Sequence, residues 1–268
     1  MVLAHNLSMP LTYTEYLQLD ALLALQTPRS DDLEHDETLF IITHQVYELW
    51  FKQMIHELDA LREAFETNNL SVVFRCLKRI LTILKVMVAQ MDIIETMSPV
   101  SFNSFRERLE ASSGFQSAQF REVEFILGVR NSKVFAHYPE GFPARMRLQQ
   151  RLHERCVWDS FLTFLNDNGY KIPDELLDRD VTQSVTSNER VQQHLIQIYR
   201  DDPLLTQVCE LLIDLDEGLQ EWRYRHVKMV ERTIGAKIGT GGSPGAAYLL
   251  STLLKPVFPD MWLVRQDL

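Results

Sequence analysis

From Phe40 to Phe65 a stripe runs through His44, Tyr47, Phe51, Met54, Leu58 and Leu61, with steps alternating between four and three. That spacing keeps every member on one face of an α-helix and suits no strand. The pattern predicts a helix from Glu37 to Glu66. A second apolar line, Leu39, Ile42, Val46 and Leu49, makes its first half hydrophobic on two sides. This predicts a helix buried near its start and half exposed later. Residues 71–97 repeat the rhythm with Leu77, Leu81, Leu84, Val88 and Met91, and 204–232 with Leu205, Val208, Leu212, Leu215, Leu219, Trp222, His226 and Met229. Shorter helical stretches fit 14–25, 116–127, 145–166 and 187–200. No period-two alternation, β-α-β rhythm or internal repeat is present. The sequence predicts an all-α bundle of long buried helices and accessory short helices. Loops are expected near 98–104, 110–115, 128–143, 168–186 and 233–246. Residues 1–268 read as a single domain, with 128–186 as a less regular excursion.

Composition narrows the class. With 37 acidic and 27 basic side chains the net charge is −10, which repels phosphate and argues against nucleic-acid binding. A chain of 268 residues, 46% hydrophobic, can build a core without a disulfide or metal staple. Cys76, Cys156 and Cys209 are odd in number and lack C-x-x-C spacing, which suits a reducing, cytoplasmic setting. The opening MVLAHNLSMPLTYTEYL lacks the basic start and apolar core of a signal peptide. The charge-free run Ile238–Leu254 holds four glycines and a proline and is too short to span a bilayer, so no membrane association is expected.

Two histidines, His44 and His226, sit in the apolar stripes of separate long helices. Each reads either as a core side chain bonded to a carbonyl or as a neutral imidazole serving or facing a haem. C-x-x-C-H is absent, so any haem is non-covalent. A di-iron carboxylate bundle needs Glu-x-x-His, and no histidine has Glu three residues before it. H-E-x-x-H is also absent. GTGGSPG at 239–245 lacks the Lys-Ser/Thr ending of a phosphate loop. It reads as a linker, or as a lid whose backbone and Thr240 bind a polar ligand head. Arg223, Arg225, Lys228 and Arg232 flank His226 and form either a solvated face or a site for carboxylates. Arg106, after Phe102 and Phe105, is either a surface ion-pair former or a fork for a ligand carboxylate walled by rings.

The strings HDETLFIITHQVYELWFKQMIHEL, SFNSFRERLEASSGFQSAQFRE and RHVKMVERTIGAKIGTGGSPGAAYLLSTL resemble those of the tryptophan 2,3-dioxygenase family. The likeness extends to LTYTEYLQLDALLALQ and FPDMWLVRQDL, and is loosest over 140–200. It implies a homotetramer holding one haem b per subunit and oxidising L-tryptophan with O₂ to N-formylkynurenine. By position, His226 would be the iron's axial ligand and His44 the distal histidine hydrogen-bonding the indole N–H. Phe40, Ile41, Ile42, Thr43 and His44 would border the substrate, with Phe102 and Leu109. Arg106 would hold its carboxylate, and Thr240 its ammonium and carboxylate end. Ser113 and Gly114 would line the haem side. Tyr13, Tyr16 and Leu17, in an N-terminal segment over 1–20, would enter a neighbouring subunit's site. Two positions depart from the family: Phe102, where some members carry tyrosine, and Pro244, where many carry serine. On the resemblance, a same-scaffold oxygenase acting on another indole or aromatic amino acid, or a non-catalytic haem sensor, are the competing readings.

Overall fold

The computed structural model describes residues 10–31, 34–110, 112–235, 237 and 246–268, and for 246–248 the backbone alone. Among the described residues there is no strand. The chain begins with α1 (Tyr13–Leu17) and α2 (Leu19–Leu23), then α3 (His35–Glu66) and α4 (Leu70–Ile94). Next come α5 (Pro99–Phe105), α6 (Ala118–Ile126), α7 (Pro143–Leu152) and α8 (Val157–Asp167). The remaining helices are α9 (Asp174–Leu177), α10 (Glu189–Asp201), α11 (Pro203–Ile234), α12 (Ala246–Leu253) and α13 (Pro259–Leu263). The expected all-α class is what the structure has. None of these helices is long and apolar enough to cross a membrane.

The frame is three long helices. A tight connection joins α3 to α4, with Asn68 at φ 53° and the Asn69 side chain capping α4 by accepting from Val72 N at 3.3 Å. Helix α4 also packs along α11, where Gly218 lets Leu84 approach: a Cβ there would lie 3.3 Å from Leu84 Cδ1. Met54, Leu58, Leu61, Leu77, Ile80, Leu84, Val208, Leu212 and Leu215 fill the space between them.

Burial along α3 runs opposite to expectation. Its later half is the buried one, with Met54, Leu58, Leu61 and Phe65 at 1% exposure or less. The second apolar line of its first half has no helix over it, so Ile42 remains 43% and Leu49 52% exposed. The stretch expected as one helix over 145–166 is broken instead. Arg130 takes the Arg151 carbonyl near the end of α7 (2.7 Å) and the Glu154 carbonyl just beyond it (2.6 Å). Asp159 then caps α8 by accepting from Cys156 N, and Arg179 grips that carboxylate with Nε and Nη2. Within 128–186, α8 delivers Phe161 and Phe164 onto Phe65 at 5.4 and 5.5 Å. The helix expected at 14–25 is divided by Gln18 at φ 50°. Residues 98–104, expected as a loop, are mostly helical: Ser98 caps α5 by accepting from Ser101 N, and Pro99 occupies its first turn. All three cysteines are buried and unpaired.

The C-terminal segment is locked down by two fully buried carboxyls. Asp216 Oδ2 on α11 accepts from Val257 N, Phe258 N and Trp262 Nε1 at 2.9–3.0 Å. Asp260 Oδ1 accepts from Asn188 N and Gln192 Nε2, both at 2.8 Å, while its Oδ2 is buried without a partner. Each orphaned buried donor costs ~1–3 kcal/mol. Asp216→Ala strands three of them, so a loss of roughly 3 kcal/mol or more is expected in urea unfolding; a loss under about 1 kcal/mol would contradict this role. Burial pushes the Asp260 carboxyl above the usual range despite its two hydrogen bonds. Its favourable contribution is therefore complete below the unfolded value of 3.8 and is lost as pH rises through the folded one. Asp260→Asn is expected to flatten the fall in urea midpoint above about pH 4; an unchanged slope would refute it.

Candidate active site

A cavity of about 230 Å³ opens between the first half of α3, the last third of α11, α5, α6 and α12. Phe40 and His44 reach it from α3, one turn apart. Phe102 reaches it from α5, and Arg106 from the 3₁₀ turn Arg106–Leu109 that follows. Ser113 and Gly114 border it from the start of the next 3₁₀ turn, where the Ser113 side chain accepts from Phe115 N at 3.3 Å. His226, Met229 and Thr233 face it from α11.

The two histidine stripes do converge. His226 and His44 line the same cavity, and His44 is near enough for its charge to oppose protonation of the His226 ring. Burial, with smaller repulsions from His44 and Arg121, pushes the His226 imidazole down to about 4. Burial likewise lowers His44, against the Phe40 carbonyl and Glu48, which raise it. Both rings are therefore neutral near pH 7. His44 Nδ1 lies 2.7 Å from Phe40 O. A carbonyl can only accept, so Nδ1 carries the proton and Nε2 keeps its lone pair.

Aromatic rings divide the cavity into two sides. Phe40 lies 4.1 Å from His44, 5.7 Å from Phe102 and 5.6 Å from Phe105. On the other side Trp222, one turn before His226, stacks on it at 5.5 Å and 18°, and meets Phe120 at 5.0 Å. Arg121 lies beyond Phe120, with its guanidinium carbon 5.3 Å from that ring.

The other described residues expected at the site are not among those lining this cavity. Leu109 packs behind the wall, against the cluster holding Phe102 and Phe105. Ile41, Ile42 and Thr43 do not line the cavity; Thr43 is buried toward α4, where its carbonyl accepts from Gln90 Nε2 at 3.0 Å. Tyr13, Tyr16 and Leu17 stand 74%, 73% and 41% exposed on α1, which buries none of its residues. Thr240 and Pro244 lie outside the described residues. Of the four basic residues around His226, only Arg223 borders the cavity. Arg225 pairs with Asp92 and Glu95, Arg232 with Glu95, and Lys228 with Glu231. Sequence reasoning missed Trp222, Phe120, Arg121 and Glu124 as cavity residues. Trp222 was detectable, being one turn from His226 on the same stripe; the α6 residues had no periodic link to either histidine.

A family model of tryptophan 2,3-dioxygenases matches residues 3–155 and 174–268. A tryptophan 2,3-dioxygenase of Herpetosiphon aurantiacus is 58% identical over 262 residues, covering 98% of this chain and all of the relative. One from Anaeromyxobacter dehalogenans is 54% identical, covering 96% of each chain, and one from Bacillus cereus 40%, covering 96% of this chain and 93% of the relative. On both the family match and these full-length likenesses, the chain belongs to the tryptophan 2,3-dioxygenase family.

Proposed function

We propose that this chain is a haem-dependent dioxygenase that opens the C2–C3 bond of the L-tryptophan indole with O₂, giving N-formylkynurenine. The observation that carries the reading is the convergence of Phe40, His44, Phe102, Arg106 and His226 on one cavity.

The family depends on haem in general. The donor set fits such a group. Among the described residues no cluster of three or more His, Cys, Asp or Glu could hold a bare metal ion. A metal that brings its own macrocycle needs only one protein imidazole, and His226 is held neutral for that purpose. Phe51, Met91, Phe120 and Met229 supply an apolar lining. His226 would hold the iron of one haem b per subunit, with Ser113 and Gly114 at the macrocycle's edge. When bound, ferrous haem supplies the activation of O₂.

The chain's own residues bind, orient and exclude water. With Nδ1 committed to Phe40 O, His44 offers Nε2 as an acceptor for the indole N–H, fixing the ring's rotation about its long axis. Phe40 and Phe102 wall the indole, and Leu109 backs Phe102. Arg106, from the turn after α5, grips the amino-acid carboxylate. Phe102 offers no hydroxyl to share that task. Thr240 is assigned to the substrate's polar end on the family pattern alone. The exposed Tyr13, Tyr16 and Leu17 support a homotetramer in which α1 enters a neighbour's cavity. Three unpaired thiols support a cytoplasmic setting, and residues 1–268 are read as one domain.

Reducing the haem-loaded protein and adding L-tryptophan and air is expected to yield N-formylkynurenine; no product from L-tryptophan would overturn the assignment. His226→Ala should lose the histidine-ligated Soret spectrum, whereas His44→Ala should keep it and lose only part of the turnover. Unaltered ligation in His226→Ala would remove it as the ligand. A charge-assisted hydrogen bond to carboxylate is worth ~1.5–3 kcal/mol. Arg106→Ala should therefore raise KM for L-tryptophan at least ~10-fold, and an unchanged KM would count against the clamp.

A further inference from the structure

Arg121 is a buried cation whose Nε–H finds no acceptor. It is 6% exposed and borders the cavity from α6. Nη1 donates to Glu124 Oε2 at 2.5 Å and Nη2 to Phe115 O at 3.4 Å, while Nε–H is buried and has no acceptor. The rings of Phe115 and Phe120 flank the guanidinium carbon at 4.6 and 5.3 Å, further excluding water. Buried donors are nearly always satisfied, because leaving one unpaired forfeits its full hydration.

None of the carboxylates around it takes the Nε–H. Glu124 is shared: its Oε1 also receives Arg223 Nη2 at 3.4 Å, and Arg223 is itself 6% exposed. The remaining reach of Arg223 goes to neutral carbonyls, Lys255 O at 3.2 Å and Thr252 O at 3.5 Å. Two guanidiniums thus share this one carboxylate. Glu48, the other carboxylate bordering this cavity, is engaged by Gln119, whose Nε2 donates to it at 2.8 Å. Glu122, the neighbour of Arg121 in sequence, is taken by Arg147 and Arg151.

The position separates this group from the amino-acid clamp. Arg106 follows Phe105 in sequence, a ring that meets Phe40 and Phe102 near His44. Arg121 belongs with Phe120 and Trp222, the ring stacked on His226. An anion seated on Arg121 is thus on the side that would hold the iron, and a haem carries two carboxylates at its rim. We propose that Arg121, through its unpaired Nε–H, binds a carboxylate of the haem periphery, with Glu124 and Arg223 fixing the guanidinium in place. This rests on the haem-binding reading and adds to it a residue that holds a carboxylate at the macrocycle's rim. Arg121 makes no claim on the substrate.

The test compares haem b with its dimethyl ester, in which both carboxylates are blocked, each loaded into the full-length apoprotein. Retention is read as the rate of transfer to excess apomyoglobin, and ligation as the Soret spectrum. The wild type is expected to lose the ester about tenfold faster than haem b. Arg121→Gln should lose haem b about tenfold faster than wild type, leave the ester's rate unchanged and keep the histidine-ligated spectrum. Wild type holding haem b and ester equally well overturns the proposal without any variant. So does an Arg121→Gln variant that retains haem b like wild type, or that loosens both forms in the same proportion, since the latter marks a packing defect. No haem uptake by wild type, or uptake without histidine ligation, is a different result: it overturns the haem reading, and the proposal with it.

Discussion

The cavity exists because α3 and α11, each 32 residues long, outrun the core that packs between them. At ~1.5 Å per residue such helices reach ~48 Å, more than one hydrophobic core of this size needs. Along the later half of α3 the stripe is filled by α4, α8 and α11, down to Leu58 and Leu61 with no exposure. Beyond Tyr47 toward its start, the same stripe is filled only in part, by the Phe102 and Phe105 rings against Phe40. Phe40 and His44 therefore face a void, opposite His226 near the far end of α11.

What surrounds the void is arranged to keep charge off the imidazoles. His226 sits in a ring-lined wall where protonation would bury a cation beside Arg121, and its pKa falls to about 4 accordingly. His44 spends its one N–H on the Phe40 carbonyl and presents a lone pair. Two neutral acceptors aimed at one apolar space suit a metal that carries its own equatorial ligands together with a substrate that carries an N–H. The charged groups are kept to the margins. Arg106 stands in the turn after α5, and Arg121 and Arg223 share Glu124.

The three long helices and the meeting of two histidine stripes were legible because a period of 3.6 over 25 or more residues admits one structure. Shorter elements were less so. The break between α7 and α8 depends on Arg130 and Arg179, which come from outside the stretch they interrupt. The helix α5 had local signals in Ser98 and Pro99 that periodicity over seven residues is too short to reinforce. The exposure of Ile42 and Leu49 was misjudged because an apolar line in sequence says what could be covered, and only neighbouring helices say what is.

Residue order alone determined the helical class, the absence of strand pattern, and the helix face on which each histidine stands, since local spacing fixes these without reference to the rest of the chain. Tertiary structure alone decided that the last third of α11 lies across from the first half of α3, and that Arg121 rather than Arg225 or Arg232 borders the cavity. It also decided which tautomer His44 adopts and that the Arg121 Nε–H is left without an acceptor. Those outcomes depend on distances between segments far apart in sequence, and burial gives them their energetic weight by removing the water that would otherwise satisfy every group equally.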